Sequence, residues 1–283
     1  MSTLHHPGIR ITAKVVKFLF LAAFLVIVIF PFYWMVITSL KPTQADIYAY
    51  PIQYWPTTPS LINYESILSK EHFGNYFVNS LTVSAAAGFL AVFIGMFASY
   101  VIARYKFRGR NLLLFFFLFT QMVPMFILLI PLYQTLGSLG MVNRLSTMVL
   151  LYTNMMIPFS VVTLRGFFEG VPRSIEEAAQ IDGCGRLRAL FTVILPVILP
   201  GLASTIIFAF VNSWNELFLA VMFLDDNAKK TLPVALNGFI LKFDIAWGQL
   251  SAGTVIAIVP TMILFAFIQK YMASGLTAGA VKG

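Results

Sequence analysis

Long apolar runs alternate with short polar stretches along the whole chain. Uncharged runs occupy residues 18–40, 76–103 and 145–164, and residues 111–143 and 245–269 each contain another. A further run, residues 197–224, is interrupted only by Glu216. A helix rises 1.5 Å per residue, so about 20 residues cross roughly 30 Å of hydrocarbon. Each run is long enough, and the runs are continuous rather than alternating, which excludes a β-barrel reading. The pattern predicts an all-α polytopic membrane protein with six transmembrane helices. It breaks between the fourth and fifth runs, where "SIEEAAQIDGCGRLRALFTVILP" (residues 174–196) carries Glu176, Glu177, Asp182, Arg186 and Arg188.

Composition agrees with the pattern. The chain is 59% hydrophobic and 11% charged with a mean hydropathy of +0.85, too little charge to cover a soluble domain of 283 residues. The first run follows Arg10, Lys14 and Lys17 like a signal peptide, but it is too long and reaches Pro42 without an A-x-A site. It reads as a retained span. The one cysteine, Cys184, excludes an internal disulfide. His5 and His6 lie in a polar N-terminal stretch, and no metal site is expected.

Charge sets the orientation. With the N-terminus inside, thirteen of the 19 Lys and Arg fall on the cytoplasmic side, four of them in the short loop "RYKFRGR" (104–110). This bias places both termini in the cytoplasm. The net charge of +8 then reflects topology and anionic lipid, with no nucleic-acid partner implied. Residues 41–75 and 225–244 fall outside, where Asp46, Glu65, Glu71, Asp225, Asp226 and Asp244 give a mixed surface. Residues 61–68 read as a short interfacial helix.

The charged stretch reads as two helices. Ser174 and Glu177 have capping-box spacing, which predicts a helix from Ile175. Gly183 suits a left-handed helix end, and Gly185 permits a second tight turn. Residues 186–195 read as another helix stopped by Pro196. Ala178 and Ala179 are small enough for a second surface to come close. From these residues alone, an unpartnered connector and a docking element are both open.

The spacing of Glu177, Ala178, Ala179, Gly183, Val193, Leu195 and Pro196 resembles the "EAA" loop of ABC importer permeases. "YFVNSLTVS" (76–84), "RYKFRGR" (104–110), "SWNELFLAV" (213–221) and "GLTAGAVKG" (275–283) extend the likeness over nearly the whole chain. They resemble the carbohydrate-uptake branch, and within it the maltose-type second permease subunit. The resemblance implies a type I importer permease fold. Its parts would be an N-terminal tail, first helix and outer loop (1–75), a permease core (76–271) with its coupling loop at 165–196, and a cytoplasmic tail (272–283). It further implies a bacterial or archaeal cytoplasmic membrane, a second homologous permease forming a heterodimer, two copies of an ABC ATPase, and an extracytoplasmic solute-binding protein.

In that family ATP and Mg are held by the ATPase subunits. This chain has no G-x-x-x-x-G-K-[ST] loop, so a non-catalytic subunit without a cofactor of its own is expected. By resemblance, Ser174, Glu177, Ala178, Ala179, Asp182, Gly183, Arg186 and Pro196 would couple to the ATPase. Lys282 and Gly283, in a flexible tail, would insert between its two copies. Asn237, Gly238 and Phe239 would form the loop that meets the binding protein.

Polar groups within apolar spans face a bundle interior or a cavity. Asn154, Asn212, Asn215 and Glu216 are candidates for a solute pathway, with Trp214 as a ring for stacking on sugar C–H faces. For any one Asn among them, an ordinary interhelical hydrogen bond is the reading to be weighed first. Glu216 is open between proton carriage and a structural role. The solute expected is a sugar or oligosaccharide. Glycerol-phosphate or another polyol-like solute is one alternative, and ion-coupled secondary transport is another. A membrane enzyme would want a clustered His, Asp or Cys set that the sequence lacks.

Overall fold

A computed structural model describes residues 7–70, 72–240 and 245–280. The expectations placed on His5, His6, Glu71, Asp244, Lys282 and Gly283 lie outside them. The helices are α1 (Pro7–Ser39), α2 (Gln44–Ile47), α3 (Ile62–Leu68), α4 (Phe73–Arg104), α5 (Arg110–Met122), α6 (Met125–Ser138), α7 (Leu145–Gly170), α8 (Arg173–Ile181), α9 (Arg186–Ala189), α10 (Leu195–Trp214), α11 (Phe218–Phe223), α12 (Leu232–Asn237) and α13 (Trp247–Ala280). Among the described residues, five segments are long and apolar enough to cross a membrane as single helices. They are Lys14–Ser39, Phe73–Arg104, Leu145–Gly170, Arg186–Trp214 and Trp247–Gln269.

The third expected span is a bent pair. Between α5 and α6 the axis turns by 91°. Pro124 explains the break: it lacks an N–H, and it forces Val123 out of the helical region, to φ −72° and ψ 118°. Pro31, Pro131, Pro158, Pro200 and Pro260 instead lie inside continuous helices.

The fifth expected span also differs at both ends. Pro196 does not stop a helix. The chain passes from α9 through a π-helical turn, Leu190–Ile194, straight into α10, whose first turn holds Pro196. A π turn shifts the hydrogen-bond register by one residue, so the N–H that proline lacks falls at a helix start. At the other end, α10 closes at Trp214 and the chain restarts as α11. The C-terminal helix α13 runs from Trp247 to Ala280, so it includes the first residues of the expected cytoplasmic tail at 272–283.

The chain forms two compact units. One takes the chain up to Lys70 together with Gly238–Ile256; the other runs on to Asn237 and resumes at Ala257. In the first unit, α3 turns Asn63 and Ile67 inward. Asn63 Nδ2 donates to the carbonyls of Ser39 (3.0 Å) and Lys41 (2.8 Å), closing the loop after α1. Gln44 Nε2 reaches Ile245 O at 2.5 Å, and Trp247 Nε1 reaches Tyr48 Oη at 2.8 Å. Sequence reading had no helix at 44–47, although Thr43 and Asp46 form a complete capping box there. Phe20, Ile27 and most of the other large apolar residues of α1 are exposed, so an apolar surround is required on that helix.

In the second unit, α4 is the central helix and packs most extensively against α7, then α10. Gly95 makes the α4–α7 approach possible: a Cβ there would lie 2.8 Å from Ser160 Cβ. Around this contact Val92, Met96, Tyr100, Leu164, Phe168, Leu190 and Ile198 form one buried cluster. A second cluster, with Val83, Met148, Tyr152, Leu219 and Phe223, fills the other end.

Candidate functional site: a charged helix on the end of the bundle

Helix α8 is built differently from the rest. Its residues are mostly polar, and its two faces have separate jobs. Glu176 and Ala179 are buried, three residues apart on one face. Glu177, Ala178 and Ile181 are exposed, Ile181 at 87%. The expected capping box is absent. The helix starts at Arg173 with Pro172 as the N-cap residue and no side-chain cap, so Ser174 lies within the first turn and is exposed. Pro172, with φ −56° and ψ 135°, already directs the chain into the helix.

The other end closes as the glycine predicts. Gly183 has φ +83°. Its N–H donates to Gln180 O at 3.1 Å, and Cys184 N–H donates to Ala179 O at 2.9 Å. These two bonds are a Schellman motif, with Asp182 as the C-cap residue. The chain then turns at Gly185 into α9, where Arg186 Nη1 donates to Tyr105 Oη at 3.1 Å and the guanidinium lies over the Tyr105 ring.

The residue that anchors α8 is Glu176, which sequence reasoning passed over for Glu177. It is 7% exposed. Its Oε2 lies 2.9 Å from Arg104 Nε, and its Oε1 accepts the hydroxyl of Tyr100. Arg104 Nη2 donates to Val171 O at 3.1 Å, at the end of α7. Apolar anchoring of α8 is small: the Ala179 methyl, about 0.8 kcal/mol, and the covered part of Ile175, which is 37% exposed. Removing one partner of the buried pair would strand the other charge at about 3–5 kcal/mol, so breaking the pair costs more than losing the Ala179 methyl. The sequence signal was available: Glu176 and Ala179 share a helical face that Glu177 does not. Beside the pair is an open cleft of about 200 Å3 lined by Arg104, Tyr105, Arg173, Glu176, Glu177, Gln180 and Arg186.

The proposed pathway residues lie apart from this site. Asn154 is exposed on α7. Asn212 is exposed and donates to Phe208 O of its own helix at 2.8 Å. Asn215 is the exposed C-cap of α10. Trp214 is 2% exposed, its Nε1 bonded to Ala257 O at 3.1 Å and its ring stacked on Phe210. In this structure Trp214 is a packing residue with no face open to a solute.

Glu216 sits at the break between α10 and α11. Its Oε1 accepts from Leu219 N–H at 2.9 Å, and its Oε2 from Ala220 N–H at 3.3 Å and Tyr152 Oη at 2.8 Å. From the position before the N-cap residue Leu217, its side chain caps the N-terminus of α11. Of the loop residues, Asn237 ends α12 and is exposed, and Gly238 is exposed. Phe239 is buried, with Lys70 Nζ 4.1 Å from its ring centre.

Comparison with known proteins gives the arrangement a context. Residues 91–277 match the family model described as "Binding-protein-dependent transport system inner membrane component". The chain is 38% identical to the diacetylchitobiose uptake system permease protein DasC of Streptomyces coelicolor, covering 90% of this chain and 92% of that one. It is 36% identical to the sulfoquinovosyl glycerol transport system permease protein SmoH of Agrobacterium fabrum, over 98% of both. It is 34% identical to the trehalose/maltose transport system permease protein MalG of Thermococcus litoralis, over 91% and 93%. A chain in the crystal structure of a bacterial ABC transporter involved in import of the acidic polysaccharide alginate has the same fold. Its TM-score is 0.80 at 22% identity, covering 95% of this chain and 99% of that one.

Proposed function

Because the chain belongs to the family of binding-protein-dependent transport system inner membrane components, we propose that it is a membrane-spanning subunit of an ABC importer that takes up a sugar or oligosaccharide. The observation that carries the reading is α8: a helix held to the bundle by one buried face and presenting Glu177, Ala178 and Ile181 outward. An exposed Ile181 beside small Ala178 and acidic Glu177 is the surface a partner would meet in this reading. A partner ATPase that closes on nucleotide would move α8, and rigid-body motion of the bundle would switch access to the pathway.

The remaining parts follow from the same reading. A second, homologous permease would complete the pathway and cover part of the apolar surface of α1. Two ATPase copies would hold ATP and Mg, so this chain does no chemistry itself. An extracytoplasmic binding protein would deliver solute near Asn237 and Gly238. Both termini and α8 would be cytoplasmic, in keeping with the Lys and Arg distribution. Diacetylchitobiose and trehalose or maltose are named for two relatives, which favours a sugar. The relative named for sulfoquinovosyl glycerol keeps a sugar-substituted polyol as the second reading. Family membership leaves ion-coupled secondary transport without support.

The test is reconstitution. The tagged chain should co-purify with an ATPase from its own membrane, and the assembly should take up a labelled oligosaccharide only with ATP. Glu177→Ala should leave membrane insertion intact and cut uptake about tenfold, the loss of one charge-assisted contact at an interface. Uptake driven by an ion gradient without ATP would overturn the proposal.

A further inference from the structure

We propose that Glu176 is a positioning residue for energy coupling, the joint through which movement of α8 reaches the transmembrane bundle. The inference rests on the coupling role proposed above and adds which side chain carries the motion inward.

Three observations converge on it. First, the other restraints on α8 are weaker. Its other buried residue is Ala179, Ile175 is 37% exposed, and Arg173 Nη2 reaches Ala103 O only at 3.5 Å. Its link to α9 runs through Gly183 and Gly185, a connection with few side-chain restraints. A push on α8 that had to travel through that turn would be absorbed there.

Second, the carboxylate connects three elements at one point. Arg104 is the last residue of α4, and its guanidinium takes Glu176 on one side and the Val171 carbonyl at the end of α7 on the other. The helices α4 and α7 share the most extensive contact of the second unit. Displacing Glu176 therefore displaces both together.

Third, the cluster continues into the apolar interior. Tyr100, which donates to Glu176, meets Phe168 edge-on with ring centres 5.5 Å apart. Tyr100 and Phe168 belong to the same buried cluster as Leu190 and Ile194 of the π-helical turn that opens the fifth span. A close-packed interior passes on displacement rather than absorbing it. The ion pair also fixes the rotation of α8 about its own axis, which is what keeps Glu177 and Ile181 outward. The two adjacent glutamates thus divide the work, one for the bundle and one for the partner.

The experiment uses the assembled transporter in proteoliposomes and measures ATP hydrolysed per solute molecule carried. Glu176→Ala should raise that ratio about fivefold while the ATPase still co-purifies in normal amount, in the range found for residues along coupling networks. The double variant Glu176→Met with Arg104→Met separates positioning from mere stability, because it leaves no buried charge unpaired. It should recover thermal stability and keep the raised ratio. Recovery of the normal ratio in the double variant would overturn the inference, and so would an unchanged ratio in Glu176→Ala.

Should Glu176→Ala fail to assemble, Tyr100→Phe removes one hydroxyl and keeps the ring. It should raise the ratio about twofold, and a normal ratio there counts equally against the joint. A readout independent of the ATPase places nitroxides on Ile181→Cys and Val101→Cys in a Cys184→Ser background. The distance distribution should widen in Glu176→Ala; an unchanged width would show that Glu176 does not set the position of α8. If the wild-type assembly carries no solute with ATP, the importer reading fails instead, while the nitroxide distance still reports on the joint.

Discussion

At the scale of single residues, the role of a polar group in this apolar chain is read from what its atoms are bonded to. Glu216 is the case where sequence left two readings, proton carriage and structure. Three donors, two of them backbone N–H groups at the start of α11, converge on its carboxylate. Removing the side chain deletes a helix cap, about 1 kcal/mol, and strands the buried Tyr152 hydroxyl, about 1–3 kcal/mol. Glu216→Ala should therefore lower the thermal midpoint of the detergent-solubilised protein clearly, and Glu216→Gln, which keeps an acceptor oxygen, by less than half as much. Abolished uptake in a Glu216→Gln protein of normal stability would restore the proton-carrier reading. Gly183 was legible from sequence because a helix end followed by glycine has one dominant backbone solution. At φ +83° a Cβ meets open space, so Gly183→Ala costs only the left-handed backbone, about 1 kcal/mol. Glycine's role is therefore conformational, and Gly183→Pro, which also deletes the N–H bonded to Gln180 O, should abolish coupled uptake while Gly183→Ala only weakens it. Glu176 was legible only in part. The face it shares with Ala179 could be read, but that this face is the one turned to the bundle follows from Arg104 and Tyr100, more than 70 positions away, being brought beneath it.

At the scale of elements, hydropathy located the spans and misjudged their interruptions. Apolar runs report which residues avoid water, and that property survives a 91° turn at Pro124 or a π-helical turn before Pro196 unchanged. The positions of proline were visible, but whether each breaks, kinks or is absorbed depends on neighbours that re-satisfy the freed carbonyls. Small residues carry more local information. Gly95 sits where α4 meets α7, and an added Cβ would lie 2.8 Å from Ser160 Cβ. Gly166, in α7, has nothing within 4 Å of the same atom. Two identical substitutions should thus have opposite signs. Gly95→Ala is expected to destabilise the bundle by about 1–3 kcal/mol through overpacking. Gly166→Ala should stabilise it by roughly 0.5–1 kcal/mol, because alanine loses less backbone freedom in a helix. Thermal melts of the two proteins in one detergent check both. Equal shifts would mean that the α4–α7 contact is looser than the 2.8 Å approach at Gly95 implies.

At the scale of the whole molecule, the coupling proposal stands only if α8 faces the compartment that holds ATP. Charge bears on that orientation. Lys and Arg are retained on the cytoplasmic side of a membrane, and the short segment 104–110 carries four of them. That segment ends α4 at Arg104, which is paired with Glu176 of α8, so the basic loop and the charged helix share one end of the bundle. Any orientation that placed α8 outside would carry "RYKFRGR" outside with it. The chain supplies its own reporter, since Cys184 is its single cysteine and lies in the turn between α8 and α9, partly exposed. A membrane-impermeant maleimide should label the unmodified chain in inside-out vesicles and leave it unlabelled in right-side-out ones. Docking of an ATPase over α8 should then slow the labelling in the assembled transporter. The reverse sidedness would place the docking helix away from any source of ATP. The fold would be untouched by that result, but α8 would have no motor to receive.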